Sequence, residues 1–288
     1  LSNLAVQTAP ESGTSTEALS LRNFNRLGQF IHDYSGIRMP PSKRTMLEGR
    51  LRRCMRESGH VSINDYCAYL FDGGGLDRER VRLLDAVTTN KTDFFREPQH
   101  FEFLTEVGLP AIAKRRGGKV KIWSAACSIG AEAYTTAMVI EEFGRQSKRL
   151  DYSILGTDLS TQVLSQAVAG RYSEQMIAPV PRDLRARYLM RSRDPKRGEV
   201  RIVPALRARL SVARMNLMDE QYPVDNDFDV IFLRNVLIYF DKPTQAKVLK
   251  NLCEHLAPGG YLILGHSESI VGVDLPVRPA AHTVFQRP

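Results

Sequence analysis

Four short segments carry side chains that could bind or orient a charged ligand. Ser124-Ala-Ala-Cys-Ser-Ile-Gly130 is a run of small residues after the apolar stretch Val120-Lys121-Ile122-Trp123. Small side chains let a ligand approach the backbone closely. Taken alone, such a run is more often a tight strand-to-helix turn, and it lacks the GxGxxG spacing of a dinucleotide site. Asp158 ends a second apolar stretch, 152–157. A carboxylate there can accept hydrogen bonds from ribose hydroxyls or cap the following helix. The third segment runs from Arg234 through Asn235 and Tyr239 to Asp241, after the apolar stretch 228–233. It sets a cation, an amide and a phenol near one edge, or forms a packed helix with an exposed arginine. The fourth, TTNKTDFFRE at 88–97, offers Asn90, Thr92 and Arg96. It also reads as a linker anchored by Phe94 and Phe95, at a junction of the kind where ligands often bind.

The elements that position these groups follow from periodicity. Residues 1–19 are rich in Ser, Thr, Ala and Pro and nearly uncharged, which predicts a flexible tail. Phe24, Leu27, Phe30, Ile31 and Tyr34 recur at helical spacing and stop at Gly36. A basic helix follows, with Leu47, Leu51, Cys54 and Met55 on one face and Arg50, Arg52, Arg53 and Arg56 on the other. Two shorter helical patterns, near 64–71 and 78–87, complete a predicted all-helical domain over 20–90. After residue 90, apolar strands alternate with helices. That pattern predicts a doubly wound parallel α/β sheet over 91–288, whose ligand edge is the carboxyl end of the strands. Segments 198–203 and 208–213 look like strands with no helical crossover, and predict an antiparallel insertion near 170–213.

Composition narrows the function class. The 288 residues carry 40 Lys and Arg against 32 Asp and Glu, a net charge of +8 with a pI near 9.4. An acidic partner is therefore expected: nucleic acid, anionic lipid or an acidic protein surface. The four cysteines (Cys54, Cys67, Cys127, Cys253) form no CxxC pair. Their spacing argues against a zinc site and a disulfide framework, and no metal is expected. With no secretory signal and no membrane-length apolar run, the expected location is the cytoplasm, and the default state is a monomer.

The segments together resemble the chemotaxis receptor protein-glutamate methyltransferases, the CheR family. The matching words are TTNKTDFFRE, IWSAACSIGAEAY, GTDLS, NLMD, FDVIFLRNVLIYFD, LAPGGYLILGHSES and TVFQR, in the family's order from about residue 20 onward. The resemblance implies a small helical domain followed by a Rossmann-like S-adenosylmethionine-dependent methyltransferase domain with an inserted antiparallel β-subdomain. It implies cofactor contacts from Asn90, Thr92 and Arg96, from Glu132 at the methionine end, from Asp158 at the ribose, from Asn216 and Leu217 beside adenine, and from Arg234 and Asn235. Arg96 and Tyr239 become the candidates for orienting the substrate. The chain departs from the family at Gly130–Thr135, GAEAYT where GEEPYS is common, and at Leu233, where Cys is frequent. Glu132 keeps the second acid of that pair, so cofactor binding is expected to survive.

The implied reaction moves a methyl group from S-adenosylmethionine to glutamates of methyl-accepting chemoreceptors, leaving S-adenosylhomocysteine. Arg50, Arg52, Arg53 and Arg56 could steer an acidic receptor surface, or form a solvated face. A receptor C-terminal peptide could add to the β-subdomain beside the basic loop Arg191–Gly198. Two alternatives stand beside this reading. One is a cofactor-binding, receptor-docking protein of little activity. The other is a nucleic-acid methyltransferase, against which the chain shows no aromatic residues interleaved with a basic groove pattern.

Overall fold

The computed structural model describes residues 18–88, 90–147, 149–192, 194 and 198–288. Of the expected tail, 1–17 lies outside the described residues. Leu19 does not belong to a tail: it is fully buried, its N–H donates to the Glu48 carboxylate at 3.0 Å, and its carbonyl accepts from Arg44.

Four helices come first: α1 (Leu21–Ser35), α2 (Arg44–Glu57), α3 (Ile63–Phe71) and α4 (Leu76–Val87). The Ser20 hydroxyl caps α1 by accepting from Asn23 N–H at 3.2 Å. The apolar faces of these helices close on one core that includes Phe24, Leu27, Ile31, Leu47, Leu51 and Leu83. The basic side of α2 is less free than its helical wheel implies. Arg50 reaches over the end of α4 and donates to the Val87 and Thr88 carbonyls at 2.8 and 3.0 Å. Arg52 pairs with Glu48. Arg53, bonded to Glu57 at 2.7 Å, keeps its side chain 72% exposed, and Arg56 is exposed as well.

A helical segment, α5 (Gln99–Phe103), a π-helical turn (Leu104–Gly108) and α6 (Leu109–Arg116), leads into the sheet. The strands are β1 (Lys119–Ala125), β2 (Asp151–Asp158), β3 (Arg171–Ser173), β4 (Leu189–Arg191), β5 (Glu199–Ile202), β6 (Leu210–Arg214), β7 (Phe228–Leu233), β8 (Leu256–Leu264), β9 (Arg278–Ala281) and β10 (Val284–Gln286). Between them run α7 (Ala131–Gln146), α8 (Thr161–Ala169), α9 (Arg182–Tyr188), α10 (Pro204–Arg207) and α11 (Lys242–Glu254). The main sheet has the order β6-β2-β1-β7-β8-β10-β9, parallel from β6 to β8 and antiparallel beyond. All six residues of β7 are buried, as expected of a central strand covered on both faces. Side chains alternate between two cores: Ile122, Val230, Phe232 and Ile263 on one face, Trp123, Ile231, Leu233 and Leu262 on the other.

The small antiparallel sheet has the order β3-β5-β4. Segment 208–213, expected in that insertion, is not there. It forms most of β6, which pairs in parallel with β2 at the edge of the main sheet. Chain order also places the switch point. From β1 the chain moves outward to β2 and later returns to β1's other side as β7, opening a crevice at the carboxyl ends of β1 and β7.

The helical unit is tied to that same end. Asp85 of α4 accepts from Thr161 N–H and Thr161 Oγ1, both at 3.0 Å, at the start of α8. Arg38 N–H donates to the Tyr239 carbonyl at 3.0 Å. Gly36 ends α1 at φ 72°, a left-handed conformation that favours glycine, and a Cβ there would crowd Met218 Sδ at 2.7 Å.

At the opposite end of β7, Asp229 is fully buried. It accepts from Arg115 Nη2 at 2.6 Å and from Lys121 N–H at 2.9 Å. Replacing it leaves a buried N–H without its acceptor and a guanidinium without its counter-ion. Asp229→Ala is expected to lower unfolding free energy by about 3 kcal/mol, read as an earlier urea midpoint. Asp229→Asn, which keeps one acceptor, should lose less.

Candidate functional site

The crevice is one cleft with about 1140 Å³ of empty space, counted out to its open mouth. Asn90, Thr92, Arg96, Glu132, Asp158, Asn216, Leu217, Arg234, Asn235 and Tyr239 all line it. These ten residues come from segments more than a hundred positions apart, and the strand ends bring them together. Met39, Lys43 and Met46 of the helical unit line it too, and periodicity did not single them out.

The floor is built by Arg234, whose side chain is only 3% exposed. Its Nη2 lies 3.2 Å from Glu97 Oε2, its Nη1 lies 3.3 Å from Glu132 Oε2, and it also donates to the Arg96 carbonyl. Arg234 is thus engaged by protein partners at all three nitrogens and serves as a brace. Glu132 Oε1 accepts from Ser124 Oγ at 2.6 Å. Burial pushes the Glu132 carboxyl above the usual glutamate range, against the pull of Arg234 and Ser124. A cation arriving at Glu132 would favour its charged form. Burial opposes the charge on Glu97 too, but the Asn235 amide, Arg234 and the His266 backbone hold its carboxyl below the usual range.

The loop after β7 depends on Glu268, which is 5% exposed. Its two oxygens accept from the N–H groups of Asn235, Val236, Leu237 and Gly265 at 2.7–2.8 Å. Four charge-assisted bonds fix that backbone where it borders the cleft. Burial pushes the Glu268 carboxyl up, and these same donors pull it back. Nothing periodic marks Glu268 or Glu97, although both stand inside words quoted above, GHSES and TTNKTDFFRE.

Asp158, 8% exposed, accepts from Ser128 N–H at 2.9 Å and Ser160 N–H at 3.0 Å, one on each oxygen. Each oxygen keeps a further lone pair. Burial raises its carboxyl above the usual aspartate range, opposed by those N–H groups. Met215 and Leu217 add a buried apolar wall. Asn216 lines the cleft and is tied to the helical unit as well. Its Nδ2 donates to the Tyr34 carbonyl at 2.6 Å and its Oδ1 accepts from Met218 N–H at 3.1 Å, so its side chain anchors α1.

Arg96 Nη1 donates to the Lys91 carbonyl at 3.3 Å, and among the described residues no carboxylate pairs with this guanidinium. Tyr239, in a 3₁₀ turn (Leu237–Tyr239), has Lys43 Nζ 5.3 Å from its ring centre. Cys127 also lines the cleft, but burial drives its thiol far above the ordinary range, so it is no nucleophile at neutral pH. Backbone strain gathers here. Six described non-glycine residues have positive φ, and Phe95, Glu97, Ala126, Ser128 and Asn235 are five of them.

These groups suit a ligand with a cationic end, a ribose and an apolar ring: Glu132, Asp158 and the Met215–Leu217 wall in turn. Ala131 and Ala133, where the sequence departs from GEEPYS, are buried in the sheet core, and the contacts of Glu132 are complete without them.

Comparison with known proteins agrees with that geometry. Residues 90–285 match the family model described as "CheR methyltransferase, SAM binding domain", and residues 22–88 match "CheR methyltransferase, all-alpha domain". The chain is 34% identical over 273 residues to the chemotaxis protein methyltransferase of Escherichia coli K12, covering 94% of this chain and 93% of the relative. It is 34% identical over 253 residues to that of Borreliella burgdorferi, covering 86% and 88%. It is 36% identical over 253 residues to chemotaxis protein methyltransferase 1 of Pseudomonas aeruginosa, covering 86% and 90%.

The Glu268 nest has a measurable consequence. Glu268→Gln puts an amide NH₂ among N–H donors. It should weaken S-adenosylhomocysteine binding at least about tenfold, roughly 1.4 kcal/mol, with an unchanged circular dichroism spectrum. Equal affinity by calorimetry would show that the loop holds its shape without the carboxylate.

Proposed function

The chain belongs to the CheR methyltransferase family, and on that premise we propose that it transfers a methyl group from S-adenosylmethionine to glutamate side chains of methyl-accepting chemoreceptors, forming methyl esters in the cytoplasm. The observation that carries this reading is the single cleft in which Glu132 and Asp158 face the cofactor side while Arg96 and Tyr239 line the same space.

Bound cofactor supplies an electrophilic methyl group on a sulfonium. The protein's own part is binding and alignment. Glu132 would hold the charged methionine end, Asp158 the ribose hydroxyls, and Met215 and Leu217 the adenine face. A glutamate with a pKa near about 4.3 is already ionised at neutral pH, so no general base is required. Arg96, free of carboxylate partners among the described residues, and Tyr239 would orient the incoming carboxylate for in-line attack. Ester formation neutralises that carboxylate. A tight ion pair with Arg96 would therefore favour the ground state over the transition state, and a loosely held guanidinium suits the task better.

Receptor docking draws on the helical unit. Arg53 and Arg56 remain available on α2, whereas Arg50 and Arg52 are engaged within the unit. The small sheet leaves β4 as an outer strand, with Met190 38% exposed, for addition of a receptor tail. Arg193, Lys196 and Arg197 of the neighbouring loop lie outside the described residues.

Two experiments test the proposal. Radiolabelled S-adenosylmethionine is incubated with the protein and a receptor cytoplasmic domain, and alkali-labile methanol release is measured. Release is expected from the native protein. From Asp158→Ala it should be lost, together with calorimetric binding of S-adenosylhomocysteine. Label that survives alkali would mean a product other than a glutamyl ester. In the second, reversal of both Arg53 and Arg56 to Glu should lower receptor methylation at limiting receptor by about tenfold, the scale of lost charge steering. S-adenosylhomocysteine affinity should stay unchanged. Full methylation by that double variant would remove α2 from the docking surface.

A further inference from the structure

Glu97, His100 and His266 converge behind Arg234, and none of the three lines the cofactor cleft. One potential ligand atom from each, a carboxylate oxygen and two ring nitrogens, lies within 4.8 Å of the others. Glu97 and His100 are three positions apart at the start of the α5 segment. Glu97 itself stands just before that helix, at φ 55°. His266 comes from the turn after β8, and its ring meets that of His100 edge-on at 4.9 Å.

One buried ring nitrogen in this cluster lacks a partner. Thr283 Oγ1 donates its hydrogen to the His282 carbonyl at 2.8 Å. It also lies 2.9 Å from His100 Nε2, within hydrogen-bond distance of that ring nitrogen. His100 Nδ1 faces Glu97 Oε2 at 3.6 Å, beyond hydrogen-bond distance. His100 is 1% exposed, and Nδ1 is the only buried side-chain nitrogen or oxygen among the described residues without a hydrogen-bond partner. A cation held between Nδ1 and the Glu97 carboxylate, which already accepts from Arg234, would give that nitrogen its partner. The Thr283 hydroxyl supplies an outer contact of the kind that orients a ligand histidine. His266 is exposed, which gives an ion a route from solvent.

We propose that Glu97, His100 and His266 bind a divalent transition-metal ion, zinc by ligand type, with the fourth position open to solvent. Two imidazoles and one carboxylate suit zinc, cobalt, nickel or copper, and disfavour magnesium and calcium, which prefer oxygen ligands throughout. Arg234, 3.2 Å from Glu97 Oε2, and His282, whose ring lies 5.4 Å from that of His266, are the other charged or titratable groups close by. Cysteine spacing points away from zinc in this chain, but this set contains no cysteine.

The full-length protein, freed of metal by chelator, is titrated with zinc chloride by calorimetry and with cobalt chloride by visible absorption. One ion per chain is expected, with a cobalt band intense enough for a four-coordinate site. His266→Ala, an exposed substitution, should weaken zinc at least about tenfold and abolish the band, with the thermal midpoint unchanged. His100→Gln is the second variant and should do the same; His60→Ala, remote on the helical unit, should bind as the native protein does. No binding up to millimolar zinc, or equal affinity in the native protein and His266→Ala, would overturn the proposal.

Discussion

A buried guanidinium between two carboxylates holds the centre of this protein together. Arg234 joins Glu97, from the segment leaving the helical unit, to Glu132, on the first turn of α7, at the end of β7. Three distant parts of the chain meet there through charge. Taking charges out of water costs several kcal/mol each, and it is offset only when partners are complete. The group of three carries two negative charges and one positive, so it stands one positive charge short of balance when both acids are ionised. That deficit faces the cleft at Glu132, whose raised carboxyl favours an incoming cation. A site for a sulfonium compound with an ammonium end therefore follows from how the scaffold balances its own charges.

The neighbouring backbone follows the same logic. Asn235 sits at φ 61° and Glu97 at φ 55°, conformations that cost free energy for side-chain-bearing residues. Glu268 offsets the first with four backbone N–H bonds, and the Arg234 contacts offset the second. Close approach leaves little room for variation: a Cβ on Gly265 would fall 2.6 Å from Asn235 Nδ2. Rigid strands supply the positions, and strained loops turn the polar groups into the cleft.

Much of this was legible in the sequence. Strands β1, β2 and β7 are dense apolar runs, and the residues just beyond them line the cleft because doubly wound sheets bind ligands at that edge. The helical unit was legible for a similar reason, since α1 and α2 each show an apolar stripe bounded by a clear stop. What stayed hidden depends on partners. The wheel of α2 shows which way Arg50 points, but not that the end of α4 lies there. Strand β6 is half-exposed and follows a four-residue helix, so neither hydropathy nor spacing marks it as a parallel edge strand. Asn216 lines the cleft, and its amide also bonds the Tyr34 carbonyl, a partner 182 residues away. Glu97 and Glu268 act on targets 137 and up to 33 residues away, beyond any local pattern.

The dependence of the residue 235–237 loop on Glu268 also sets an order of events during synthesis. The four helices of the N-terminal unit have their own apolar core and can pack as they leave the ribosome. The central strands can pair soon afterwards. The cleft cannot be finished then, because its edge waits for a carboxylate made 31 residues after Leu237. A nascent chain therefore passes through a stage in which the sheet exists and the ligand site does not. During that interval the buried arginine and its acids must find one another without help from bound ligand, which favours a site shaped by the chain itself.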